Sequence, residues 1–287
     1  MLEPKPRSWP RAQRGLKHAG AIALTAVVIA EIHDPPHSSA AGPIAEDIIA
    51  WCADGLEPIA GGGCFSEPNE SKEARVPLVV YLHGRYPSSF VADELDRQAR
   101  VAKLANERGY AFLALRGTRG QCTDPRLANY FCWPSNERNA ADGPAFVGRW
   151  ETAFAAVEQR IGSGPRLLLG FSNGGYFATL IATRALAPFD AVAIAHAGPV
   201  APTRALGAKM PLLLITAPDD AANDEMRRLL SELSLEDWPA EIVTRTSGQG
   251  HALPDWDIAM ALTFFERVRT EDMPLNPPLS PNPPQPR

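Results

Sequence analysis

Several absences narrow this chain before any motif is read. A membrane-spanning helix takes about 20 consecutive apolar residues, whereas the run from Ala19 to Ala30 has only twelve. Basic residues are not in excess. The chain carries 28 Lys and Arg against 33 Asp and Glu, a net charge of −5, and this leaves no broad basic face for nucleic acid. Cysteines number four, none of them in a CxxC pair, and the neighbouring spacings of 12 and 10 match no usual zinc finger. No internal repeat is visible, which sets aside solenoid architectures. Histidines number six. Only His83, His196 and His251 lie outside the terminal segments, so any histidine base comes from these three.

What remains is a chain of 287 residues, 45% of them hydrophobic, enough for one sizeable core. Lys5, Arg7, Arg11, Arg14 and Lys17 precede the Ala19–Ala30 run, and Glu31, His33 and Asp34 end it. A basic n-region before a short apolar stretch is the pattern of a signal peptide. Val28-Ile29-Ala30, at the end of the run, and Ser38-Ser39-Ala40, beyond it, each offer a small-x-Ala cleavage site. At the other end, Met273 to Arg287 holds seven prolines and reads as an extended tail. The expected organisation is a leader over 1–40, a catalytic domain over 41–270 and a tail over 271–287. The mature protein is expected to be secreted or periplasmic, with no stable membrane span. Four cysteines allow three pairings. Cys52–Cys64 and Cys122–Cys132 are favoured, because short local loops close readily and an exported domain is oxidised.

Strand-like and helix-like stretches alternate between the tails. Pro77–Leu82, Tyr110–Leu115, Arg166–Leu169, Phe189–Ala195, Leu212–Ile215 and Glu241–Thr244 are short apolar runs. Helical spacing covers Glu94–Arg108, Gly143–Ile161, Tyr176–Leu186, Asp224–Leu233 and Trp256–Val268. This order predicts an α/β fold: a mostly parallel sheet with helices on both faces. Working groups in such sheets gather at the carboxyl ends of the strands.

Residues 165–175 read Pro-Arg-Leu-Leu-Leu-Gly-Phe-Ser-Asn-Gly-Gly. A buried strand runs into Gly170-x-Ser172-x-Gly174, and a helix follows. This is the pattern of a nucleophile elbow, a strained strand-to-helix turn that presents a serine hydroxyl above the sheet. Glycines at 170 and 174 give the turn room that a β-carbon would fill. The helix N-terminus behind Ser172 supplies N–H groups where an oxyanion forms.

A serine hydroxyl needs a positioned base. His251, in the glycine-containing loop Ser247-Gly-Gln-Gly-His-Ala-Leu-Pro254, is the expected base. His196 follows the elbow helix with only one strand between, which leaves no strand to carry an acid, so it is read as lining the site. The acid is expected after the strand ending Ile215-Thr-Ala-Pro. Asp220 is preferred, while Asp219 stays open as the alternative and as a turn residue beside Pro218. From Ser172 the intervals are 48 residues to Asp220 and then 31 to His251, each long enough for further α/β elements. His83-Gly84 ends an earlier strand, so the N–H of Arg85 or Tyr86 is expected to join that of Asn173 in an oxyanion hole.

Pro77-Leu-Val-Val-Tyr-Leu-His-Gly84, Gly170-Phe-Ser-Asn-Gly-Gly175, Gly250-His-Ala-Leu-Pro254 and Phe131-Cys-Trp-Pro134 together resemble secreted serine esterases of the polyhydroxybutyrate-depolymerase and feruloyl-esterase type. The resemblance spans roughly residues 75–268 and implies the α/β-hydrolase fold. It implies Ser172 as nucleophile, Asp220 as acid, His251 as base, and oxyanion donors around Arg85 and Asn173. Arg85-Tyr-Pro-Ser-Ser replaces the usual glycine-rich stretch after His-Gly, and the acid strand lacks its usual glycine. Nothing resembles a polymer-binding module.

His83, Arg116, Trp133 and His196 are expected around the substrate pocket. Neither metal nor cofactor is implied. The expected activity is hydrolysis of a small-molecule or oligomeric ester through an acyl-enzyme. Two other readings remain: a serine peptidase of the prolyl-oligopeptidase type, and a hydrolase-shaped binding protein with decayed catalysis.

Overall fold

Strands apolar on every residue must be covered on both faces, and that requirement organises this molecule. The computed structural model describes residues 51–68, 70, 75–200, 208–246 and 250–270, all within the compact unit 43–287. The expected leader and proline-rich tail lie outside the described residues.

Eight strands form the main sheet: β1 (Glu57–Ile59), β2 (Gly63–Ser66), β3 (Leu78–Leu82), β5 (Ala111–Leu115), β8 (Arg166–Phe171), β9 (Ala191–Ala195), β10 (Leu212–Thr216) and β11 (Ala240–Thr244). Their spatial order is β1-β2-β5-β3-β8-β9-β10-β11. The six strands from β5 to β11 run parallel, and β1 and β2 add an antiparallel edge. Three short strands, β4 (Tyr86–Pro87), β6 (Thr118–Arg119) and β7 (Tyr130–Cys132), make a separate small sheet in the order β4-β7-β6.

Alternation along the strands splits the core in two. Val80, Leu82, Leu168, Ile194 and Leu214 face one cluster, whereas Val79, Tyr81, Leu169, Leu213 and Ile215 face the other. The first face is covered by α2 (Gly143–Gly148), α3 (Glu151–Ile161), α4 (Asn173–Arg184) and α5 (Asn223–Leu235), which contribute Phe146, Val157, Phe177 and Leu229. The second is covered by α1 (Ala92–Glu107) and α6 (Asp255–Arg269), through Val101, Ala105, Ile258 and Phe265. Each fully buried Leu or Phe contributes about 1.5–3 kcal/mol, so both layers are essential. Among the described residues, no helix is long and apolar enough to cross a membrane.

The structure departs from expectation locally. The stretch expected as one helix over 143–161 breaks into α2 and α3 after Gly148, where Trp150 turns into the core. Glycine is a poor helix residue and a large indole needs burial, so both favour the break. Cys52 and Cys64 are bonded with Cα atoms 5.3 Å apart, and Cys122 and Cys132 with Cα atoms 5.4 Å apart.

Candidate active site

Strand register brings the carboxyl ends into one row. Phe171 pairs with Ala195, Ala195 with Ile215, and Thr216 with Thr244. The residues that leave these strands, Ser172, His196, Ala217 and Arg245, therefore emerge side by side.

Ser172 sits at the tip of the turn between β8 and α4 with φ 52° and ψ −118°. A non-glycine residue rarely holds such a conformation, and strain of this kind clusters at functional sites. Close packing makes it possible. A β-carbon on Gly170 would lie 2.5 Å from the Gly174 carbonyl oxygen, and one on Gly174 would press into the carbonyls of Leu82 and His83.

The Ser172 hydroxyl lies 2.8 Å from His251 Nε2, and His251 Nδ1 lies 3.0 Å from Asp220 Oδ1. Asp220 is buried and its Oδ1 also accepts from the Ala222 N–H at 2.8 Å. Burial pushes the Asp220 carboxyl up, but hydrogen bonds from Ala222, His251 and His196 outweigh it and hold the group below the usual carboxylate range. Asp219 is exposed. Its carbonyl oxygen would be 2.5 Å from a β-carbon on Gly250, so glycine there lets the His251 loop approach the acid.

Helix α4 begins at Asn173, whose N–H, in the first helical turn, has no intrahelical acceptor. The Asn173 side chain is occupied elsewhere: its Oδ1 accepts from the Trp133 N–H at 2.8 Å and its Nδ2 donates to Ser135. Gly84 passes close by. A β-carbon there would lie 3.3 Å from that of Ser172, so the chain entering Arg85 runs beside the serine.

A cleft of about 710 Å³ opens over this group. Its walls include Arg85, Glu137, Tyr176, Glu225, Arg228 and His251. The Tyr176 hydroxyl donates to Glu225 at 2.5 Å. Burial, then that carboxylate, raises the Tyr176 pKa.

Five expected positions need correction. None of His83, Arg116, Trp133 and His196 lines the cleft. His83 is fully buried, where its Nε2 accepts from the Gly117 N–H at 2.9 Å and its Nδ1 donates to the Gly84 carbonyl at 2.6 Å. Burial lowers its pKa to about 3, so it is a neutral brace. Trp133 donates its indole N–H to the His83 carbonyl at 2.9 Å, and Arg116 stacks 3.9 Å over Phe131. Tyr86 also turns inward: its ring stacks on Phe131 and its backbone enters the β4–β7 pairing. Arg85, not Tyr86, borders the cleft.

His196 is buried behind Asp220. Ring nitrogens and carboxylate oxygens of His196, Asp220 and His251 lie within 4.8 Å of one another, a spacing that would admit a metal ion. Asp220 hydrogen-bonds to a ring nitrogen of each histidine. Two residues beyond the sequence reading join this cluster, Asp257 of α6 and Arg245 after β11. Their only sequence signal is bland: a first-turn helix acid and a charge at a strand end.

No protein-family model and no curated protein matches the chain. Solved structures do. The chain is similar to a carboxylesterase from Mesorhizobium loti, with TM-score 0.51 and 18% identity, covering 71% of this chain and 93% of that one. It is similar to YahD with malic acid, at TM-score 0.50 and 16% identity, covering 72% and 98%. It is also similar to an inhibited esterase B from Lactobacillus rhamnosis, at TM-score 0.50 and 16% identity, covering 72% and 81%. Together with the strand order, these likenesses establish the α/β-hydrolase fold.

Proposed function

We propose that this chain is a serine hydrolase of carboxylic esters that works through an acyl-enzyme, exported after loss of the 1–40 leader. One observation carries the reading: Ser172 Oγ, His251 and Asp220 form a continuous hydrogen-bonded line of 2.8 and 3.0 Å on a strained elbow. His251 Nε2 takes the hydroxyl proton as Oγ attacks the ester carbonyl. Asp220 keeps Nδ1 protonated and stabilises the imidazolium that results. The developing oxyanion is received by the N–H groups of Asn173 and Arg85. His251 then returns its proton to the departing alcohol, and a water activated by the same imidazole releases the acid and restores Ser172.

Two of the structurally similar proteins are named esterases, which agrees with this class. The resemblance of its motifs to polyhydroxybutyrate depolymerases and feruloyl esterases supports a secreted esterase of that type, and the two cystine bridges support an oxidising destination.

A fluorophosphonate probe is expected to label the wild type and to spare Ser172→Ala. Loss of Ser172 or His251 should lower kcat on p-nitrophenyl esters by on the order of 10⁶, with aminoacyl amides turned over far more slowly. Labelling that persists in Ser172→Ala would overturn the assignment.

A further inference from the structure

Behind the acid, the hydrogen-bond line does not stop. Asp220 Oδ2 meets His196 Nδ1, His196 Nε2 lies 2.8 Å from Asp257 Oδ2, and Asp257 Oδ1 accepts from Arg245 Nε at 3.0 Å. Arg245 then donates from its terminal nitrogen to the carbonyl of Gly250 at 3.2 Å, one residue before His251. The line thus returns to the neighbour of His251, the base that Asp220 holds on its other oxygen. His196, Asp257 and Arg245 are all buried.

Proton bookkeeping across the circuit is constrained. Each His196 ring nitrogen faces a carboxylate oxygen, and two acceptors cannot face each other without a proton between them. Each of the two His196–carboxylate contacts therefore carries a proton, shared between a ring nitrogen and a carboxylate oxygen. Acidic and basic side chains alternate along the line: Asp220, His196, Asp257, Arg245. A buried charge without such partners would be costly, and here each has an opposite neighbour. The backbone also points to function. His196 holds φ 55°, a conformation uncommon outside glycine, and its N–H donates to the Ile215 carbonyl at 2.9 Å.

We infer that His196, Asp257 and Arg245 are positioning residues for the esterase reaction: a clamp of alternating acidic and basic side chains that fixes Asp220 as an anion from behind and ties down the loop bearing His251. The inference rests on the proposed function and deepens it. Asp220 accepts a bond on each oxygen, so its carboxylate cannot rotate away from His251. Nor is it a ready proton acceptor, since His196 already satisfies its second oxygen. The Arg245–Gly250 bond holds the other side of the base. No group of the clamp touches the cleft.

The test uses Asp257→Asn, which keeps shape but removes the charge, and His196→Asn, chosen because asparagine tolerates the positive φ. Each is expected to lower kcat by about 10–100-fold, as outer-shell partners typically do. KM should stay within about 2-fold, because the lost contact acts on the transition state. Nitrogen-15 NMR of the histidine rings supplies a readout that does not need turnover. Wild-type His196 should show both ring nitrogens protonated, and Asp257→Asn should abolish that state. An active wild type whose two folded variants keep kcat, or a His196 ring with a single proton, would overturn the clamp and leave the esterase reading intact. A wild type inert to esters and probe, yet with a doubly protonated His196 that Asp257→Asn disrupts, would remove the esterase reading and leave the clamp as an architectural circuit.

Discussion

Glu94, on the second face of the sheet, shows how much one side chain can set at the residue scale. It is buried beside Tyr81 and paired with Arg97, whose guanidinium lies 5.0 Å over the ring of Phe171. Burial pushes its carboxyl up to about 8, and Arg97 only partly opposes this. In an unfolded chain a glutamate titrates near about 4.3. Between those values the folded protein holds a proton that the unfolded chain releases, so stability is fully present below the lower value and falls as pH rises toward the upper one. Melting temperature followed from pH 5 to pH 8.5, roughly that window, should decline in the wild type and decline less in Glu94→Gln. Equal slopes would show that Glu94 is ionised throughout. Sequence alone gave no hint of this, because a first-turn helix glutamate reads as solvated. Ser172, Asp220 and His251 were legible for the opposite reason: glycine spacing, strand ends and triad order restrict each of them independently. His196 was found but assigned to the wrong surface, since a lone histidine after a strand carries no mark of what lies behind it.

At the scale of elements, the elbow joins β3, β8 and α4 at van der Waals distance, and glycine makes the approach possible. A methyl at 174 would meet the carbonyl oxygens of Leu82 and His83, which are backbone atoms and cannot swing aside. Gly174→Ala should therefore cost about 1–3 kcal/mol of stability, the usual range for overpacking. It should also depress kcat, because α4 must shift and carry the Asn173 N–H with it. Chemical denaturation and ester turnover on the same preparation would check both, and an unchanged denaturation midpoint would refute the packing argument. The element order itself was readable from runs and breaks. The β1–β2 edge and the small β4-β7-β6 sheet were not, because strands of two to four residues carry too little periodicity to stand out. The break between α2 and α3 depends on where Trp150 finds a cavity, a tertiary fact.

For the molecule as a whole, the two bridges carry stability that the core need not supply. Cys52–Cys64 fastens the segment bearing Trp51, a core residue, to β2. Cys122–Cys132 closes the loop that immediately precedes Ser135, Asn136 and Glu137, which line the cleft. With separations of 12 and 10 residues, each is expected to add about 2–4 kcal/mol by restricting the unfolded chain. A domain of this kind has a net stability of only about 5–15 kcal/mol, so losing both would leave a marginal protein. Reductant should lower the melting temperature by on the order of 10–30 °C, at about 2–4 °C per kcal/mol for a domain of this size. The two bridges should also separate by function. Cys52→Ser with Cys64→Ser is expected to lower the melting temperature while ester turnover below it persists, because that bridge lies away from the cleft. Cys122→Ser with Cys132→Ser should lower both, since Asn173 is bonded to Trp133 and Ser135, which directly follow Cys132. A melting temperature indifferent to reductant would mean that the thiols are not paired in solution, and the strongest support for an oxidising destination would go with it.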